Sequence, residues 1–113
     1  MTEPIYHLAL ATDWAEACRT GSYRTSTRGR TLEQEGFIHA SRADQWEGVR
    51  DRFYRDVTEP LVLLVIDPAR LGAPVRDEPV GEETFPHVHG PIEVAAVVEV
   101  RPVPTDGGPG TGK

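Results

Sequence analysis

Lysine is almost absent from this chain: Lys113 is the only one, so every other cationic side chain is an arginine, a planar fork suited to carboxylates or phosphates. Cysteine is as scarce. Cys18 stands alone, which excludes an internal disulfide and the stapled scaffold of a small secreted domain. Near the end of a short helix and among alanines, it reads as a buried small hydrophobe rather than a nucleophile. No apolar run approaches the roughly 20 residues of a membrane span, and the N-terminal residues lack the basic start and apolar stretch of a signal peptide. A cytoplasmic protein without membrane contact is the expectation. Positive charge is in deficit too: 12 basic against 18 acidic residues give a formal charge of −6, which repels a phosphate backbone and argues against general nucleic-acid binding. A Gly-x-Ser-x-Gly elbow, a phosphate loop followed by lysine and an open-sheet dinucleotide fingerprint are all missing.

What is there suits one domain. A chain of 113 residues with 38% hydrophobic content fills a single core, expected over residues 1–102, and the Pro/Gly-rich residues 103–113 read as a disordered tail. Residues 5–9 alternate as a first strand, with Ile5, His7 and Ala9 on one face and Tyr6 and Leu8 on the other. A helix follows from Thr12 or Asp13 to about Cys18, with Trp14, Ala17 and Cys18 as its buried stripe and Gly21 to end it. The polar residues 22–31 read as an exposed loop, and Thr31 to Glu35 as one helical turn before Gly36 and a short strand, residues 37–40. Ser41, with Asp44 three positions on, reads as the N-cap of a helix reaching about Arg55, whose inner face includes Ala43, Trp46, Phe53 and Val57.

Residues 61–66, Leu-Val-Leu-Leu-Val-Ile, are apolar at every position, the pattern of a central strand covered on both faces. Residues 75–79 fit an edge strand because Pro74 and Pro79 cannot donate to a ladder, residues 81–84 an exposed loop, and residues 92–100 a last strand. Strands and helices mixed without strict alternation indicate an α+β domain, mainly antiparallel, with two main helices.

Chemistry rests on the histidines His7, His39, His87 and His89, each beside an expected strand and all able to face one cleft. His87 and His89 share a face if their segment is extended. Three possibilities follow: zinc ligation, with His7 or His39 completing the His87/His89 pair; acid–base or electrostatic work; and structural hydrogen bonding. Ligation is the weakest of these, and no metal is assigned. His39 and Ser41 precede the expected helix, whose positive end suits an anion, and arginines 24, 28 and 30 stand in the neighbouring loop to meet a phosphate.

Four segments in order carry a family resemblance: Ile-Tyr-His-Leu-Ala at 5–9, Gly-Phe-Ile-His-Ala-Ser at 36–41, Leu-Val-Leu-Leu-Val-Ile-Asp-Pro-Ala-Arg-Leu-Gly at 61–72 and Phe-Pro-His-Val-His-Gly-Pro at 85–91. Together they resemble the small bacterial domain-of-unknown-function-952 family over residues 4–102. The resemblance implies an ADP-ribosyltransferase-like fold, a split sheet that holds NAD in a central cleft. Tyr6-His7 is similar to the Tyr-His of those enzymes, whose histidine bonds the adenosine ribose, and residues 36–40 resemble their Gly-x-Tyr-x-Ala strand. The chain departs from them at Ile38, which takes the tyrosine position beside His39. It also departs at the glutamate position, where Glu93 starts the expected last strand and His87 or His89 takes the functional place. A histidine-rich site is closer in type to the RNA 2′-phosphotransferases of that fold, which use NAD to remove a phosphate.

The expectation is therefore an NAD- or nucleotide-dependent transferase with His7, His39 and His87 as catalytic residues and Tyr6, Ser41, His89 and Arg24 as ligand-binding ones. The alternative is a non-catalytic nucleotide or small-molecule binding module.

Overall fold

The computed structural model describes residues 3–27 and 30–103, so Arg28 and the tail beyond Val103 lie outside the described residues. Among the described residues ten strands, three α-helices and two 3-10 turns form an α+β domain in which every strand pairing is antiparallel.

The organising strand is the apolar run. Strand β6 (Leu61–Ile66) lies between β1 (Ile5–Leu10) and β10 (Val97–Val103) in a three-stranded sheet. Because side chains alternate along it, β6 feeds two cores. Leu64 and Ile66 join Ile5 and Ala9 in one core, while Leu61, Leu63 and Val65 join Tyr6, Leu8, Tyr54 and Val57 in the other. The face assignment expected for β1 holds.

A second three-stranded sheet has the order β5 (Ile38–His39), β8 (Glu83–Val88), β7 (Val75–Val80), with β7 at its edge as its prolines require. Ile38, Ala40 and Val88 turn into the first core. Residues on the opposite face follow from the register: His39 stands opposite His87, Arg76 opposite His87 from the other side, and Glu78 opposite Phe85. Backbone bonds between Tyr6 and Ser41, 2.8 and 2.7 Å, join the end of this sheet to the free edge of β1.

That bridge overturns the expected cap. Ser41 spends its backbone N–H and C=O on Tyr6, remains extended and cannot open a helix; the helix, α3 (Trp46–Phe53), begins five residues later. Its N-cap residue is Gln45, whose side chain accepts from the Arg42 N–H at 2.9 Å. Ser41 is therefore not the N-cap of a helix that starts directly after His39. The inner face also differs: Ala43 is exposed and Phe53 is 55% exposed, while Trp46 and Val57 do reach the core.

The described residues of the segment 22–31 are largely strand, not an exposed loop. They include β2 (Ser22–Tyr23), β3 (Thr25–Thr27) and β4 (Arg30–Thr31), with β2 paired to β9 (Ile92–Glu93). Tyr23 and Ser26 are almost fully buried. The expected last strand is interrupted by a 3-10 turn at Val94–Ala96, and residues 81–84 form the turn and start of the β7–β8 hairpin. Helix α1 (Ala11–Thr20) ends at Gly21 with φ 91°, as expected, and Trp14 packs against the first core beside the buried Ala17; Cys18 is exposed because it points one position round the helix from the core. Helix α2 (Leu32–Glu35) carries a complete capping box between Thr31 and Gln34 and closes on Gly36 at φ 86°.

Among the described residues β10 pairs only with β6. Its register shifts between Val97 and Glu99, Arg101 bonds Glu99 at 2.9 Å, and Pro102 follows.

Leu64→Ala, on a fully buried side chain, should lower unfolding stability in urea by about 2–5 kcal/mol. Phe53→Ala should cost less than about 1 kcal/mol, since most of that ring is already in water.

Candidate functional site

Where β1, β3 and β5 meet α3 and the β7–β8 hairpin, a cavity of about 440 Å³ opens, within the range of sites for small ligands. The strand exits place its polar groups. His7 comes from β1, Ser26 from β3 and His39 from β5, while Glu83 and Phe85 come from β8. The N-terminal side of α3 adds Asp44 and Gln45, and its C-terminal end adds Arg52 and Phe53. Gln45 ties the walls together by donating to Glu83 Oε1 and to the Thr84 carbonyl, both at 2.9 Å.

His7 is fixed at both nitrogens. Its Nδ1 lies 2.6 Å from the His39 carbonyl, which can only accept, so Nδ1 carries the proton. Nε2 therefore presents a lone pair and accepts from the Tyr23 hydroxyl at 3.0 Å. Burial pushes the His7 pKa down to about 4, outweighing the pull of the His39 carbonyl in the other direction. His39 is also pushed down to about 4, by desolvation first and then by the charge of His87. Both rings are neutral at pH 7. Burial also raises the Tyr23 phenol well above its ordinary value, keeping it a hydroxyl donor.

Behind His39 the same sheet face continues as an aromatic and carboxylate cluster. The His39 and His87 rings stand 5.3 Å apart, Phe37 stacks on His87 at 4.0 Å, and His87 Nδ1 lies 2.6 Å from Glu78 Oε1. The hydrogen bond from His87 holds the Glu78 carboxyl below the usual carboxylate range, so Glu78 is an ionised acceptor. His89 Nε2 is 3.4 Å from Glu78 Oε2, an ion-pair distance but not a hydrogen bond, and it is unpartnered in that sense. His87 Nε2 and Ser26 Oγ are likewise buried without a hydrogen-bond partner among the described residues. Only Ser26 of these three lines the cavity.

Comparison with known proteins places this arrangement. Residues 8–100 match the model of a protein of unknown function, DUF952. The chain belongs to that family. Its fold is similar to crystal structures of protein CC0527 from Caulobacter crescentus, with a TM-score of 0.75 at 26% identity over 88% of this chain and 84% of that one. A double mutant of CC0527 gives the same TM-score at 25% identity and the same coverage. The solution NMR structure of CC0527 gives 0.69 at 26% identity, covering 86% and 81%. No curated protein matches.

In this DUF952 member the expected site residues divide. His7, His39 and Ser41 line one cavity. His87 does not line it but touches His39, and His89 lies farther along the same face beside Glu78. Tyr6 points away from His7 into the second core. Arg24 is exposed and pairs with Glu33 at 2.7 Å, outside the cavity lining. Among the described residues no group of three or more potential ligands is arranged to hold a metal. Glu93 is not at the cavity either; its Oε1 accepts from the Gly72 N–H at 3.3 Å.

Sequence reasoning missed Ser26, Glu83 and Phe85 as lining residues. For Ser26 the local sequence carries no signal, since it stands in a polar stretch and shares its parity with the exposed Arg24.

Both depressed histidines bind protons more weakly folded than unfolded. Their contribution to stability is complete above the unfolded value near 6.5 and is lost as pH falls through that value toward 4. The loss from His7 is at most about 3 kcal/mol, and less from the partly exposed His39. Urea midpoints measured from pH 7 to 4 should fall in the wild type, with a shallower slope in His7→Gln; equal slopes would show that His7 titrates normally.

Proposed function

We propose that the cavity binds the nucleoside end of a nucleotide, with NAD as the first candidate. The observation that carries this is Ser26: a buried hydroxyl without a hydrogen-bond partner on the cavity wall, which a ligand hydroxyl or amide would satisfy. Around it stand neutral His39 as a further polar contact and Phe85 as an aromatic wall. That combination suits a ribose joined to a planar ring.

Charge decides which end enters. Among the described residues Asp44 and Glu83 line the cavity against a single arginine, Arg52, and both lining histidines are neutral. Phosphates are therefore disfavoured inside and belong at the rim on the Arg52 side, while a neutral or cationic ring is favoured within. His7 serves this site as a strut rather than a ligand, since both of its nitrogens are engaged. This differs from the ribose-bonding histidine implied by the ADP-ribosyltransferase resemblance.

Transfer chemistry is the second reading, and Glu83 favours it. A carboxylate oriented by Gln45 at the cavity wall can stabilise positive charge developing on a ribosyl carbon, the role for which the sequence offered only Glu93. An ADP-ribosyl- or phosphotransferase-like activity would use it so.

Calorimetric titration with NAD and assay of nicotinamide release test both readings. Saturable binding weakened about 2- to 10-fold by Ser26→Ala is the expected result for the site. Release of nicotinamide that disappears in Glu83→Gln establishes cleavage of the nicotinamide–ribose bond at this site, with the ribosyl group passing to water or to an added acceptor, and binding without release leaves a binding module. If NAD, AMP and nicotinamide riboside all fail to bind, the nucleotide reading is rejected.

A further inference from the structure

The buried His87 is left unused by the ligand site, and its surroundings are ordered in a line. Glu78, with a side chain 37% exposed, accepts from His87 Nδ1 at 2.6 Å; His87 is buried and clamped by Phe37; His39 stands 5.3 Å from His87 between ring centres and reaches the cavity. All four residues share one face of the β5–β8–β7 sheet, which the register of those strands requires.

Proton positions follow one from another along this line. An ionised carboxylate only accepts, so His87 carries a proton on Nδ1; a ring with that single proton has its lone pair on Nε2, the atom found buried without a partner among the described residues. A buried lone pair seeks a donor, and the neighbouring imidazole of His39 is the ring that can supply one by a small rotation.

We propose that Glu78, His87 and His39 form a hydrogen-bond relay from the surface to the cavity, which fixes the His39 tautomer so that its cavity-side nitrogen presents a lone pair to a ligand O–H or N–H. Glu78 and His87 are then positioning residues acting through His39. The ligand class is one that donates a hydrogen bond, such as a sugar hydroxyl, not an anion that accepts one. If the ligand hydroxyl ionises, its O–H bond breaks as an N–H bond forms on the cavity side of His39. The proton on the other His39 nitrogen passes to His87 Nε2, leaving an alkoxide in the cavity and the positive charge on His87 against Glu78. His39 thereby acts as a base without retaining a buried charge.

The use of the relay rests on the cavity being a ligand site, but its existence does not, so it is tested without ligand. Nitrogen-15 NMR of histidine-labelled protein at pH 7 reports the tautomer of each ring. In the wild type one His39 tautomer should dominate by about fivefold or more, the ratio that one hydrogen bond sustains. Glu78→Ala and His87→Phe should each bring the two His39 tautomers to comparable populations, while amide spectra confirm the fold. A mixed His39 in the wild type overturns the relay. So does a His39 tautomer ratio unchanged in whichever variant is folded, with the partly exposed Glu78 site expected to tolerate its substitution. Failure of NAD to bind would leave these tautomers untouched and would count only against the nucleotide reading.

Discussion

The site depends on the place where one sheet is tied to the other: the backbone bridge of Tyr6 with Ser41, reinforced by the bond from the His7 ring to the His39 carbonyl. Each strand alone is short, and β5 has only two residues. The bridge anchors the chain just after β5 to β1, holds the His39 carbonyl beside that strand and thereby sets the distance between the walls of the cavity. Because the carbonyl is fixed, so is the tautomer of His7, and then the direction of the Tyr23 hydroxyl. One long-range contact thus determines the polarity of several groups that local sequence leaves free.

Electrostatics follow from the same closure. Excluding water from His7 and His39 removes their charge near neutrality, and the carboxylates Asp44 and Glu83 then outnumber Arg52 around the space. A chain rich in arginine has kept most of those cations at its exterior, in pairs such as Arg24 with Glu33 and Arg30 with Glu35. Such exposed pairs contribute little to stability but leave few free forks for a phosphate.

Much of the scaffold was legible locally. The apolar run of β6 announced a strand buried on both faces, Thr31 to Glu35 read as a helical turn before Gly36, and alternation separated His7 from Tyr6. The DUF952 membership was legible too, from motifs spread along the chain. What escaped was decided by distant partners. Ser41 has good capping chemistry, yet pairing with Tyr6 takes its backbone; residues 22–31 are polar, yet Ile92 and Glu93 offer β2 a ladder. Ser26 sits in that segment, so its burial and its place on the cavity wall were invisible without the pairing.

The outer side of β10 shows how a small sheet can end safely. Its backbone there faces no other described strand, and Val98 and Val100 are exposed, features that would let one chain add to the next in a growing ribbon. The register shift after Val97 twists the strand, the paired charges of Glu99 and Arg101 would have to be rearranged by an incoming strand, and Pro102 withholds a donor. Each feature makes fibrous self-addition less favourable, so the edge that completes the core of one molecule is a poor template for the assembly of many.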